Sequence, residues 1–192
     1  TIENPMFEKP IYPTVLNAND LNVKIDEKLN QSRIDEMINK KKEIEKLLRH
    51  YKKIEKKWKT ANNLIKLTGL TFGTITTITA CVISSGILLP VGMSLIISSA
   101  LAGSTAIDML ITKILTSTYT SKKKKYFHDK VKIVNSYNDK LYLYYEKARE
   151  DGKITLYEIK GFRKIVDEME KELENHSMKE NKNDNIELSK LI

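Results

Sequence analysis

The chain has 192 residues, of which 30% are charged and 7% aromatic, and it holds only seven glycines and four prolines. This length argues for one domain with tails and against two, and the composition is that of a helical protein. The single cysteine, Cys81, excludes an intrachain disulfide, and the net charge of +8 indicates an anionic partner, either nucleic acid or lipid.

Residues 1–19 predict an extended arm, because they hold Pro5, Pro10 and Pro13 and each proline pushes the residue before it out of the α region. The segment 20–60 predicts a long amphipathic helix. Its apolar residues recur every three or four positions with lysine and glutamate between them: Ile34, Met37, Ile38, Ile44, Leu47, Leu48, Tyr51, Ile54 and Trp58.

The centre of the chain is an apolar block, in which 41 residues between Lys66 and Asp108 carry no charge. One membrane span requires about 20 apolar residues, and Pro90 with Gly92 supplies turn chemistry near the midpoint. We therefore predict a membrane-active helical hairpin over 67–115, with Leu67–Leu89 as its first arm and a second arm from Met93. The residues expected to enter the bilayer are Leu67, Leu70, Phe72, Ile75, Ile78, Val82, Ile83, Ile87, Leu88, Leu89, Met93, Leu95, Ile96, Ile97, Leu101 and Ile107.

Small residues within the block predict close contact between the two arms. Gly69 and Gly73 form a GxxxG motif on the first arm, and Ser99 and Gly103 have the same spacing on the second. Thirteen of the 41 residues are serine or threonine, which lowers the insertion energy and makes two states plausible. The hairpin either stays in a bilayer or is sheathed by the flanking helices in a soluble bundle until a trigger exposes it.

Lysines on both sides of the block predict contact with anionic headgroups. The upstream group is Lys56, Lys57, Lys59 and Lys66, and the downstream group is Lys122, Lys123, Lys124 and Lys125. A hairpin returns the chain to the side from which it left, and basic flanks then place both ends on the cytoplasmic side. The downstream run could also bind nucleic acid, but its position directly after the apolar block favours lipid.

Two further amphipathic helices are predicted over 122–150 and 156–175 as an αα-hairpin, followed by a flexible tail over 176–192. Asp151 and Gly152 break the helix, and Thr155 with Glu158 has the spacing of a capping box that starts the next one. The histidines lie far apart in the sequence, with no pattern of a metal site or a nucleophile and its base. We therefore expect no catalysis and no cofactor.

The segment Lys130–Glu172, with its KIV, KL, DGKIT and EIKGFRKIVDEMEK stretches, resembles proteins of virus-like mobile elements of the Polinton (Maverick) and adintovirus type. Such proteins also carry a glycine-rich apolar hairpin upstream. The resemblance implies a membrane-associated viral or element-encoded role and no particular mechanism.

These observations predict an all-α protein in which long amphipathic helices flank a central hydrophobic hairpin, with bundle or coiled-coil packing. The first functional hypothesis is a non-enzymatic protein that permeabilises or remodels a bilayer, assembling as a homo-oligomer. The second is a membrane-anchored scaffold or adaptor whose amphipathic helices bind a protein partner. The third is a basic nucleic-acid-packaging protein.

Overall fold

A computed structural model describes residues 18–87, 98 and 106–191. Over these residues the chain forms four helices, α1 (Ala18–Thr68), α2 (Phe72–Ser85), α3 (Ala106–Ala148) and α4 (Leu156–Leu191). The prediction of an all-α fold with packed helices is confirmed.

The three long helices lie side by side. α3 runs antiparallel to α1, since His128 donates to the Glu55 carboxylate across the pair at 2.7 Å and Thr120 donates to Asn62 further along at 3.2 Å. α4 returns along both, and Arg163 near its start reaches Glu36 on α1. The short α2 folds back on the C-terminal half of α1. It therefore adds a fourth helix at that end of the bundle only.

Two hydrophobic clusters fill the bundle. The main core joins α1, α3 and α4 and consists of Met37, Ile44, Leu48, Val134, Leu141, Tyr145, Ala148, Ile154, Ile159, Phe162, Ile165, Val166, Met169 and Leu173. The sheath cluster joins α1, α2 and α3 and consists of Ile54, Trp58, Ala61, Ile65, Ile78, Cys81, Val82, Tyr126 and Phe127. The described first part of the apolar block is therefore connected to α1 and α3 through the sheath cluster.

α1 extends past the predicted end at residue 60 and into the apolar block. Its buried stripe continues through Trp58, Ala61 and Ile65 with spacings of three and four residues, which is the helical period. The helix ends after Thr68 because Gly69 adopts a left-handed conformation with φ of +79°. The first residues of the block thus complete an amphipathic helix and do not begin a new one.

The predicted first arm, Leu67–Leu89, is wrong in its bounds, since the helix within it covers only Phe72–Ser85. Thr71 caps its start by accepting from the Thr74 N–H at 3.3 Å, and Gly86, with φ of +66°, closes its end. The GxxxG motif does not form one helix face in this conformation. Gly69 lies in the break before α2 whereas Gly73 lies within it, so the two glycines do not form one helix face.

The C-terminal half has longer helices than predicted. α3 begins at Ala106, well before residue 122, and α4 continues to Leu191. The expectation of a flexible tail over 176–192 is therefore wrong for residues 176–191. Leu173, His176, Ser177 and Glu180 keep helical spacing and face α3, and this contact sustains the helix into polar sequence.

Several predictions fall on residues outside the described ranges. They are the greater part of the extended arm (1–17), the hairpin turn at Pro90 and Gly92, the insertion residues Leu88, Leu89, Met93, Leu95, Ile96, Ile97 and Leu101, and the contact residues Ser99 and Gly103. Ile107 lies within α3.

Candidate membrane-active site

α2 is a helix without a single charged side chain. Five of its hydroxyl groups donate to carbonyl oxygens of the helix itself, in the bonds Thr76 to Phe72, Thr77 to Gly73, Thr79 to Ile75, Ser84 to Ala80 and Ser85 to Val82, at 2.6–3.0 Å. A hydroxyl that already donates to a carbonyl oxygen of its own helix loses little hydrogen-bonding free energy when it leaves water. The high serine and threonine content of α2 is therefore compatible with an apolar environment.

One face of α2 packs on α1. Ile78 and Cys81 are completely buried there, and they share the sheath cluster with Trp58 and Ile65 of α1. Burial of each large aliphatic side chain stabilises such a contact by about 1.5–3 kcal/mol. α1 therefore shields from water the face that carries much of the apolar surface of α2.

The opposite face of α2 remains open. Phe72 is 78% exposed and Ile83 76% exposed, and Thr76 and Ala80 between them are also exposed. These positions follow one another at helical spacing and form a continuous uncharged strip. An exposed helix face without a charge is unusual for a protein surface, which makes it the candidate site.

Cys81 occupies the middle of the α1–α2 contact. Burial raises the pKa of its thiol to about 11 from an ordinary value of 9.0, and the nearby ammonium of Lys57 opposes this only partly. Lys57 itself donates to the Ser84 hydroxyl at 3.1 Å and ties the end of α2 to α1. One of the lysines predicted to meet headgroups thus contributes to the sheath.

The downstream lysines are not equivalent. The side chain of Lys123 is only 2% exposed, and its ammonium lies 3.1 Å from the Glu180 carboxylate of α4. The prediction that Lys123 contacts headgroups is therefore wrong for this conformation, because α4 covers it. Lys122 and Lys125 are exposed, as are Lys56, Lys59 and Lys66 upstream, whereas Lys124 is half-buried.

The C-terminal part of α4 forms a clasp over α3 next to the sheath cluster, which the sequence did not indicate. In the clasp, His176 stacks on the Tyr126 ring with 4.8 Å between centroids, and the Tyr126 hydroxyl donates to the Ser177 hydroxyl at 3.1 Å. Glu180 adds the ion pair with Lys123. Leu173, His176 and Glu180 are three and four residues apart, so they keep the helical period of the apolar stripe of α4. This period is the only feature of the sequence that points to the clasp.

A buried polar layer joins α1 to the first half of α3. Thr112, Thr116 and Thr120 of α3 are buried, and Thr120 donates to the amide oxygen of Asn62, itself 1% exposed. Thr116 and Thr120 also donate to carbonyl oxygens one turn back, so their hydroxyls are satisfied. A polar layer of this kind fixes the register of two helices more than it adds stability.

The turn between α3 and α4 has the predicted hydrogen bonds. Glu158 accepts from the N–H and the hydroxyl of Thr155, both at 2.8 Å, while Thr155 accepts from the Glu158 N–H at 3.2 Å. Gly152 is left-handed with φ of +76°, and Asp151 accepts from the Lys153 N–H. This turn lies at the far end of the bundle from α2 and serves the fold.

None of the helices in the described part of the chain combines the length and the hydropathy that crossing a bilayer requires. No protein-family model, curated protein or solved structure matches the chain. The packing of α2 and the charges around it are therefore the features that bear on function.

Proposed function

We propose that this protein is a non-enzymatic, membrane-inserting protein that holds the first arm of its apolar hairpin against α1 and releases it into an anionic bilayer, which it permeabilises or remodels. The observation that carries the proposal is α2, an uncharged helix with one face buried on α1 and the other open to solvent. A permanent structural helix in this position would be expected to carry charges on its outer face.

Insertion requires a change of structure. The 14 residues of α2 span about 21 Å, which is shorter than a hydrocarbon core of about 30 Å. The continuous segment Leu67–Leu89 would span about 34 Å if it were helical throughout. Gly69 and Gly86, which are left-handed when α2 packs on α1, and Thr71, which is extended there, are described positions at which the backbone must change to make that longer helix.

Release of α2 leaves apolar surface on α1. Trp58 and Ile65, which share the sheath cluster with α2, would lose part of their cover, and exposing large side chains is unfavourable. A second copy of the chain can cover the same surface through its own long helices. The proposal therefore includes assembly into a homo-oligomer on the membrane.

The test compares two substitutions of exposed apolar residues. Ile83→Asp places a carboxylate on the open face of α2, where it disturbs no contact in the sheathed state but costs about 2.5–3.5 kcal/mol at the centre of a bilayer. Leu143→Asp makes the same change at a similarly exposed position on α3 and is the matched control. Dye release is measured from vesicles of equal parts phosphatidylglycerol and phosphatidylcholine over a range of pH.

We expect dye release by the unsubstituted protein and by Leu143→Asp, and a loss of at least tenfold for Ile83→Asp. Equal release by the two variants would contradict insertion of α2. Absence of both binding and release at every pH would contradict the whole proposal.

A membrane-anchored scaffold is the second candidate, and exposed apolar residues near the N-terminal end of α1 favour it. Val23, Ile25 and Leu29 are about half exposed there, beyond the turn at Gly152 that Asn30 contacts. A protein partner could pack on this end. A scaffold would require detergent for extraction and would bind membranes without releasing dye, which separates it from the first candidate.

A further inference from the structure

A patch of exposed apolar side chains lies where α1, α2 and α3 meet. Leu67 ends α1 and Phe72 starts α2, and both are more than three-quarters exposed. Leu110 and Ile114 on α3 are each more than half exposed. These four residues are called the corner patch below.

The position of Gly69 shows that the four residues share one end of the bundle. A Cβ on Gly69 would lie 3.8 Å from the side chain of Lys113, so the break between α1 and α2 packs directly against α3 at this lysine. Leu110 and Ile114 lie on either side of Lys113 within one turn. Residues of the corner patch therefore lie on both sides of the contact between Gly69 and Lys113.

Two lysines border the corner patch. Lys66 adjoins Leu67 and is exposed, and Lys113 is half-buried beside Gly69. The sequence has no acidic residue from 67 to 107, and the first one after this range, Asp108, precedes Leu110 by two positions. Apolar side chains that can enter the acyl region, bordered by ammonium groups that can bind phosphate, fit the surface of an anionic bilayer.

Other occupants fit the corner patch less well. Nucleic acid would be attracted by the lysines but would gain nothing from two exposed leucines, an isoleucine and a phenylalanine. A second copy seated on the same patch would bring Lys66 and Lys113 towards the partner's lysines, and like charges oppose each other across such a contact.

We infer that the corner patch is the surface through which the protein first docks on an anionic bilayer, before α2 leaves α1. The inference rests on the proposed function, since it names the entry point of the same apolar block. Docking at this corner places the break at Gly69 at the surface of the bilayer. The N-terminal end of α2 then reaches the lipid before its C-terminal end does.

Phe72→Ser and Ile83→Ser form the test pair. Both residues belong to the open face of α2 and are exposed to nearly the same extent, and they lie about 16 Å apart along the helix. Partition to vesicles of equal parts phosphatidylglycerol and phosphatidylcholine is measured by flotation at a pH at which the unsubstituted protein binds but releases no dye, so that docking is measured without insertion of α2. Circular dichroism checks that each variant is folded.

We expect Phe72→Ser to weaken partition about tenfold, because this factor corresponds to the lower end of the free energy gained when a phenylalanine side chain is buried. Ile83→Ser should change partition less than twofold. The double variant Lys66→Gln/Lys113→Gln should weaken partition to the anionic vesicles and leave that to pure phosphatidylcholine unchanged.

Equal losses for the two serine variants, or a greater loss for Ile83→Ser, would overturn docking at the corner. Such a result would leave the proposed function intact if the unsubstituted protein still bound and released dye. If the unsubstituted protein neither bound nor released dye, the proposed function and this inference would both fail.

Discussion

Cys81 reports directly on whether α2 can separate from α1, because it is completely buried between them. The thiolate is the form that reacts with alkylating reagents. With the pKa of the thiol raised from 9.0 to about 11, the thiolate fraction at about pH 8 falls roughly 100-fold. Labelling in the native state should therefore be at least about 100-fold slower than in denaturant, and it should proceed through opened molecules.

Ile78→Ala is the perturbation that should speed this opening. Ile78 is completely buried in the sheath cluster, and removing part of such a side chain costs about 2 kcal/mol or more. If α2 opens as a local unit, that change raises its open population about 30-fold. The rate of Cys81 labelling, measured by mass spectrometry under native conditions, should rise by the same factor.

The matched control is Ile159→Ala. It makes the same deletion in the main core, where Ile159 is 1% exposed and far from α2. It should lower the free energy of global unfolding while changing the Cys81 labelling rate less than about threefold. Equal acceleration by both variants would show that Cys81 is exposed only by global unfolding, and the reasoning about local release would be refuted.

Three further predictions concern the bundle itself. Glu180→Gln should destabilise the protein by up to about 3 kcal/mol in chemical denaturation, because Lys123 remains buried without its carboxylate; an unchanged midpoint would contradict the clasp. Arg163 donates to Glu36 and holds the pKa of that carboxyl below its ordinary value, so its stabilising effect is present at neutral pH and is lost as the pH falls through the lowered pKa. Glu36→Gln should accordingly lower Tm at neutral pH, and the difference from the unsubstituted protein should vanish in acid. Gly152→Ala should cost about 1 kcal/mol, since φ of +76° is unfavourable for alanine, and a neutral effect would contradict the described turn.

The sequence predicted the helical class and the turn between α3 and α4 well because both depend on local patterns. Apolar spacing identified the long helices, and Thr155 with Glu158 identified the capping box from residues three positions apart. These features need no knowledge of distant contacts.

The bounds of the first arm were predicted less well, because counting uncharged residues takes no account of caps. The 41-residue block begins with the last two residues of α1, followed by a break at Gly69 and then a helix capped by Thr71 and ended by Gly86. A glycine within an apolar run is tolerated in membrane helices, so its presence alone did not indicate a break.

The clasp and the burial of Lys123 could not be predicted from spacing. A run of four lysines is typical of an exposed surface, and only the return of α4 brings Glu180 to the second of them, Lys123. The polar sequence after residue 175 predicts a tail that includes His176 and Ser177, whereas their contacts with Tyr126 make them part of the bundle. Pairings between residues more than 50 positions apart become visible only in the folded chain.

The distance between α1 and α2 on a membrane tests the central claim most directly. Spin labels at Lys53→Cys and Ala80→Cys, both exposed positions, in a Cys81→Ala background allow this distance to be measured by pulsed electron paramagnetic resonance. The account predicts one short distance in solution and a second, longer distance when the protein is bound to anionic vesicles. An unchanged distribution in vesicle-bound protein that releases dye would contradict the release of α2.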